Sequence, residues 1–168
     1  DCDVPVIFKL DLKEKDPEDF MIKSAAFLGS AFIDGFGDGL WLTNQDGSDA
    51  RLIQATCLGI LQACRARISK TEYIACPSCG RTHFNLMEAL ARIKNATGHL
   101  KGLKIGVMGC IVNGPGEMSD ADYGYVGTGQ GKITLYKSKD VIKKAIPEAD
   151  AVDELVKLIK ENGDWVEP

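Results

Sequence analysis

Three of the six cysteines lie in segments whose residue types suit metal binding. Cys76 and Cys79 are separated by Pro-Ser, and Cys110 follows 31 positions later in a glycine-rich segment. Three thiolates are a donor set that zinc and iron–sulfur clusters both accept. A C-x-x-C pair alone also fits a redox dithiol, in which Cys110 would have no part. The third cysteine makes a metal centre the better interpretation.

A fourth ligand has to come from elsewhere in the chain, and two kinds are available. Zinc takes four protein ligands in a structural site. His83 would complete the set Cys76, Cys79, His83 and Cys110 and would make the chain a structural zinc-binding interaction module. The rival is an oxygen donor in the segment 113–117, which reads Asn-Gly-Pro-Gly-Glu. Residue types alone leave both open.

The remaining cysteines and the overall composition point away from an exported or membrane protein. Cys57 and Cys64 fall in an apolar helical pattern, where free cysteine is commonly buried, and Cys2 is near the start of the chain. No leader and no apolar run of membrane-spanning length is present. We therefore expect a cytoplasmic protein with reduced thiols and no membrane partner.

Charge is unevenly distributed along the chain. The formal net charge is −4, which argues against nucleic acid as a partner. Residues 51–104 nevertheless carry nine basic and two acidic side chains. A basic centre of this kind suits an anionic ligand or cluster.

Hydrophobic periodicity predicts the elements that would position these residues. Strands are predicted near 4–10, 40–43, 71–75, 103–108, 123–126, 132–136 and 141–146, and helices begin near Asp16–Pro17, Ser48, Asn85 and Pro147. Both cysteine segments follow strands, and sites gather at the carboxyl ends of strands in α/β sheets. The fold class is α/β with an α+β tendency, a mixed sheet flanked by helices.

A domain boundary is predicted near residue 70. Residues 1–69 give two βα units, which are too few to close a sheet alone. Residues 70–168 contain the cysteine segments, several strands and two well-patterned helices.

Two motifs in order make the sequence resemble the (E)-4-hydroxy-3-methylbut-2-enyl diphosphate synthase family. They are Cys-Pro-Ser-Cys-Gly-Arg-Thr at 76–82 and Gly-Cys-Ile-Val-Asn-Gly-Pro-Gly-Glu at 109–117. The likeness extends through 121–127 and 131–136 to the terminal helix, and its segments favour the longer, three-part form of the family. Over 1–69 it is looser, and 32–39 resembles the end of the family's barrel-like domain.

The resemblance implies a cofactor, a reaction and partners. It implies a [4Fe-4S] cluster held by Cys76, Cys79, Cys110 and Glu117, in a domain like that of sulfite and nitrite reductases. The family reduces 2-C-methyl-D-erythritol 2,4-cyclodiphosphate in non-mevalonate isoprenoid biosynthesis, with electrons from a ferredoxin or flavodoxin. Glu117 and Asn113 are then the catalytic candidates, and Arg81 and Asn113 are candidates for substrate binding.

The same resemblance implies that much of the substrate site lies outside this chain. The family binds its diphosphate mostly on an N-terminal barrel of the same protein or of a second subunit. Almost none of that barrel fits in residues 1–69. We therefore expect the chain alone to fold but to be inactive.

Overall fold

The computed structural model describes residues 4–47, 49–112 and 114–168. The chain divides into two compact units, Asp1–Ser69 and Lys70–Pro168, called here the N-terminal and C-terminal units. In the described part of the chain, no helix is both long and apolar enough to cross a membrane.

The N-terminal unit is a β-α-β-α arrangement with a two-stranded parallel sheet. Its elements are β1 (Ile7–Leu12), α1 (Pro17–Ile33), β2 (Gly39–Asn44) and α2 (Ala50–Ala63). The predicted start of α1 is confirmed, because the Asp16 carboxylate accepts hydrogen bonds from the first-turn N–H groups of Glu18 and Asp19. The predicted cap Ser48 lies outside the described residues, and Asp49 is the N-cap of α2.

The core of the N-terminal unit brings both helices and the sheet together. Its buried members are Phe20 and Leu28 from α1, Leu42 from β2 and Ile60 from α2. Cys57 and Cys64 are only partly buried and pack against this core.

The C-terminal unit holds a five-stranded mixed sheet in the order β3-β4-β5-β6-β7. Its elements are β3 (Glu72–Ala75), α3 (Leu86–Thr97), β4 (Lys104–Met108), α4 (Gly114–Glu117), β5 (Tyr123–Gly129), β6 (Lys132–Lys137), β7 (Asp140–Pro147) and α5 (Glu148–Glu161). Strands β3, β4 and β5 are parallel, whereas β6 and β7 are added antiparallel. The predicted mixed sheet flanked by helices is confirmed.

The main core lies on the sheet face covered by α3 and α5. Alternate strand residues point to this face, among them Ile105 and Val107 of β4, and they meet Ile93 of α3 and Leu155 of α5. The predicted cap of α3 is confirmed, since the Asn85 side chain accepts the N–H of Glu88.

The opposite face of the sheet is thinner and carries the short helix α4. Met118, directly after α4, packs with Met108, Val126 and Tyr136. It fits because the sheet beneath it has glycine, so that a Cβ built on Gly124 would lie 2.6 Å from Met118. This small second core fixes α4 against the sheet.

Candidate metal centre

The ends of β3 and β4 bring the first two candidate ligands to one edge of the sheet. Cys76 directly follows β3, and Cys110 comes two residues after β4. The strands are parallel neighbours, and the Cys76 N–H continues their pairing to the Val107 carbonyl at 3.2 Å. The Gly109 N–H then donates to the Cys76 Sγ at 3.2 Å.

One cavity of about 110 Å³ collects the predicted thiol and carboxylate ligands. Cys76, Cys79, Cys110 and Glu117 all line it, together with Pro77, Ser78, Arg81, Met108 and Gly114. The four predicted ligands come from three separate segments: the turn after β3, the loop after β4, and α4.

The turn that places Cys79 is tight and held by a threonine. Ser78 has φ 66°, a left-handed conformation that is costly for a residue with a side chain. The Cys79 N–H donates to Thr82 Oγ1 at 3.1 Å, and Ser78 Oγ lies 3.2 Å from the same oxygen. The sequence pattern does not predict this role of Thr82 in holding the turn, although Thr82 is the last residue of the first motif.

Glycine lets three backbone segments approach closely beside the cavity. A Cβ on Gly109 would lie 2.7 Å from Thr82 Oγ1. A Cβ on Gly127 would lie 2.4 Å from the Gly109 carbonyl oxygen and 3.0 Å from the Phe84 ring. Only glycine leaves room for β5, the Cys110 loop and the Cys79 turn at these distances.

Arg81 supplies positive charge beside two of the thiols. The backbone hydrogen bond from Arg81 to the thiol, aided by its guanidinium, holds the pKa of Cys79 below its ordinary value. Cys79 and Cys110 in turn raise the pKa of Arg81. This environment favours the thiolate of Cys79, which is the form that binds metal.

Glu117 lies at the solvent-exposed side of the cavity. It is the last residue of α4 and is exposed, whereas Gly114 at the start of α4 is buried against Met108. Although the segment is rich in glycine and proline, residues 114–117 form one helical turn. Asn113, the other catalytic and substrate-binding candidate, lies outside the described residues.

His83, the alternative fourth ligand, is not among the residues that line this cavity. Its side chain is exposed, and its backbone N–H donates to the Gly109 carbonyl at 3.1 Å. Cys57 and Cys64 belong to the N-terminal unit, where the Cys64 Sγ donates to the Gly29 carbonyl at 3.4 Å. Cys2 lies outside the described residues.

The cavity lining offers three thiols and one carboxylate, and thiols are donors that zinc and iron–sulfur clusters both accept. Among the described residues, no group of three or more His, Cys, Asp or Glu side chains is placed to hold one metal ion. A tetrahedral zinc draws its thiolate ligands to within about 4 Å of one another. A cluster instead binds each of its ligands on a different iron.

Comparisons with known proteins place the chain in a family. A family model described as the GcpE protein C-terminal domain matches residues 72–161. A curated relative from Parabacteroides distasonis, named 4-hydroxy-3-methylbut-2-en-1-yl diphosphate synthase (flavodoxin), is 64% identical over 165 residues, which cover 98% of this chain and 27% of the relative.

Two further relatives carry the same name. The one from Bacteroides fragilis is 60% identical over 97% of this chain and 26% of its own length. The one from Chlorobaculum tepidum is 49% identical over 99% of this chain and 22% of its own length. The chain thus spans about a quarter of the length of the curated relatives it matches.

Proposed function

The chain belongs to the GcpE protein C-terminal domain family, and from that premise we propose that it is the iron–sulfur-binding C-terminal part of a 4-hydroxy-3-methylbut-2-en-1-yl diphosphate synthase. One observation carries the proposal: Cys76, Cys79, Cys110 and Glu117, from three separate segments, line a single cavity. Relatives of that name align over nearly the whole chain, which supports the same assignment.

Cys76, Cys79, Cys110 and Glu117 are the residues that would hold a [4Fe-4S] cluster. When bound, such a cluster supplies electrons one at a time and a Lewis-acidic iron at the position of the weakest ligand. The three thiols are strong, soft ligands, and the carboxylate is the harder and more readily exchanged one.

The surrounding residues would tune and orient these ligands. Arg81, next to Cys79 and Cys110, offsets the negative charge of thiolates and of a diphosphate. The hydrogen bond from the Gly109 N–H to the Cys76 Sγ fixes that sulfur and makes it a weaker electron donor to a metal. Both contacts involve the backbone or side chains of the C-terminal unit alone.

Glu117 is the candidate for exchange and proton transfer. Because its side chain is exposed at the cavity rim, Glu117 would be a ligand that can move away without a rearrangement of the core. Its carboxylate would then be free to hold or return a proton beside the substrate. Asn113 and Arg81 are the candidates that would hydrogen-bond or pair with the substrate.

The reaction proposed for the whole protein is the two-electron reduction of 2-C-methyl-D-erythritol 2,4-cyclodiphosphate. It opens the ring and removes a hydroxyl as water, in non-mevalonate isoprenoid biosynthesis in the cytoplasm. Flavodoxin, which the relatives' names give, is the preferred electron donor, and ferredoxin is the alternative.

Most of the diphosphate site is assigned to a part of the longer protein outside this chain. The parallel strands β1 and β2 with helices α1 and α2 would be the end of its barrel-like domain. The rest of that N-terminal barrel, in the same protein or in a second subunit, would supply basic residues for the diphosphate.

The test is turnover of the cyclic diphosphate under anaerobic conditions with dithionite as reductant. The full-length protein should form product, whereas residues 1–168 alone should not. In the full-length protein, Glu117→Gln should keep most of the cluster but lose most turnover, because an amide is a poor iron ligand and no acid. Glu161→Gln, an exposed carboxylate at the end of α5, is the matched control and should be unaffected. Normal turnover by Glu117→Gln would refute its role.

A further inference from the structure

A second cavity, called here the edge groove, opens on the sheet face that carries α4. It measures about 350 Å³ and is lined by Ile111, Thr128, Thr134, Tyr136, Val141, Lys144 and Ala145. Tyr136 packs in the small core with Met118, which places the groove on that face. None of these residues takes part in the site described above.

Two irregularities in the edge strand β7 shape the groove. The pairing of β6 with β7 shifts between Ile133 and Leu135 and again between Leu135 and Tyr136. Lys143 binds Glu154 of α5 at 2.6 Å, on the helix-covered face, and the adjacent Lys144 lines the groove, as alternation along a strand requires. Ala145 takes φ 55°, a strained conformation for alanine. Bulges of this kind re-aim side chains, and here the adjacent residues Lys144 and Ala145 both line the groove.

The strands around the groove are basic in an acidic chain. Residues 132–147 contain five lysines and one aspartate, against a net charge of −4 for the whole chain. Two of the five, Lys137 and Lys143, bond to Asn162 and Glu154 on the helix-covered face, whereas Lys144 lines the groove. Lys132 is exposed and lies two positions before Thr134, hence on the same face of β6. Lys132 pairs with Gly129 at the end of the sheet where β4 delivers Cys110.

The groove and the candidate metal centre share a wall. Ile111, which lines the groove, is the residue after Cys110, which lines the metal cavity. Met108 also lines the metal cavity and packs in the same small core as Tyr136 of the groove. A redox partner seated in the groove would therefore be separated from Cys110 by about one layer of side chains.

We infer that the edge groove is the docking site for the electron donor, a flavodoxin that presents an acidic face. The inference rests on the proposed function, because it assigns a surface to the donor of that reaction. Ile111 and Val141, which are 51% and 41% exposed, supply apolar contact near the flavin. Lys132 and Lys144 supply the complementary charge, which governs the rate and orientation of encounter.

The first test measures binding of oxidised flavodoxin to the 168-residue chain by calorimetry at low and high salt. Lys132→Glu/Lys144→Glu should weaken binding by roughly 10–100-fold at low salt. The double variant Lys101→Glu/Lys157→Glu is the control, because it reverses two exposed lysines elsewhere in the C-terminal unit. No binding by the unaltered chain, or equal loss in both double variants, would overturn the inference.

A pair of neighbouring apolar residues gives a second, uncharged test. Val141 lines the groove, whereas Ile142, 45% exposed in the same strand, does not. Val141→Ala should weaken binding several-fold, and Ile142→Ala should leave it unchanged. A larger loss of flavodoxin binding in Ile142→Ala than in Val141→Ala would place the donor elsewhere.

Reduction kinetics separate failure of the inference from failure of the proposed function. After reconstitution, flavodoxin hydroquinone should reduce the double variant Lys132→Glu/Lys144→Glu at least tenfold more slowly than it reduces the unaltered chain. Dithionite, which needs no docking site, should reduce the variant and the unaltered chain at the same rate. Equal rates with flavodoxin would overturn the docking site alone. A chain with no reducible chromophore would contradict the proposed function, and the binding measurement would still decide the docking site.

Discussion

The cysteines of the two units illustrate how position in the fold decides what a thiol can do. In the N-terminal unit, Cys57 lies on α2, and burial raises the pKa of its thiol. In the C-terminal unit, Cys79 lies in a turn beyond β3, where hydrogen bonding from Arg81 lowers the pKa of its thiol. The same side chain behaves as a small apolar group in one unit and as a potential metal ligand in the other.

The difference comes from backbone geometry as much as from electrostatics. A helix position such as Cys57 packs its sulfur against the core of its own unit. The carboxyl ends of the parallel strands β3 and β4 lie side by side at one edge of the sheet. Gly109 and Gly127 let the segments that follow these strands lie close together. Three thiols can therefore face one cavity in the C-terminal unit.

The largest expected effect is loss of the metal centre on removal of a C-terminal thiol. After anaerobic reconstitution with iron and sulfide, Cys110→Ser should retain at least tenfold less iron than the unaltered chain, because one iron loses its ligand. Cys57→Ser is the control and should retain all of it. Full iron content in Cys110→Ser, measured by colorimetric iron and sulfide analysis, would refute the ligand assignment.

The second effect concerns close packing beside the cavity. Gly127→Ala should lower the free energy of unfolding by about 1–3 kcal/mol, because its Cβ would meet the Gly109 carbonyl at 2.4 Å. Gly59→Ala, in helix α2 with nothing within 4 Å of the new Cβ, should instead raise it by about 0.5–1 kcal/mol. Urea unfolding of both variants checks the opposite signs, and equal effects would contradict the packing explanation.

The smallest effect is a shift in thiol reactivity with pH. In the metal-free chain, iodoacetamide should label Cys79 with a pH midpoint below that of an ordinary thiol, and Cys57 with a midpoint above it, as their pKa directions require. Arg81→Gln should move the Cys79 midpoint upward and slow its labelling several-fold at pH 7, leaving Cys57 unchanged. Peptide mapping by mass spectrometry gives the labelling rates of Cys79 and Cys57. An unchanged Cys79 midpoint in Arg81→Gln would count against the electrostatic role of Arg81.

Much of this arrangement is predictable from the sequence, because its strongest signals are local. Alternating apolar residues predict β5 and β6, and the Asn85–Glu88 spacing predicts the start of α3, as the structure confirms. The strand before each cysteine segment also lies where the pattern predicts it.

The features that the sequence does not predict depend on tertiary contacts. Helix α4 forms in a glycine- and proline-rich segment because Met118 packs onto Gly106 and Gly124, which are distant in the chain. The spacing of His83 suits a ligand, yet its side chain does not line the cavity. The shifts in the pairing of β7, where the adjacent Lys144 and Ala145 both line the edge groove, have no local signature either.

The most direct test of the central claim is the metal content and absorbance spectrum of the chain after anaerobic reconstitution. An iron–sulfur site predicts a broad brown absorbance and about four irons and four sulfides per chain. A colourless protein with one zinc per chain, or a metal-free reversible dithiol at Cys76 and Cys79, would contradict it.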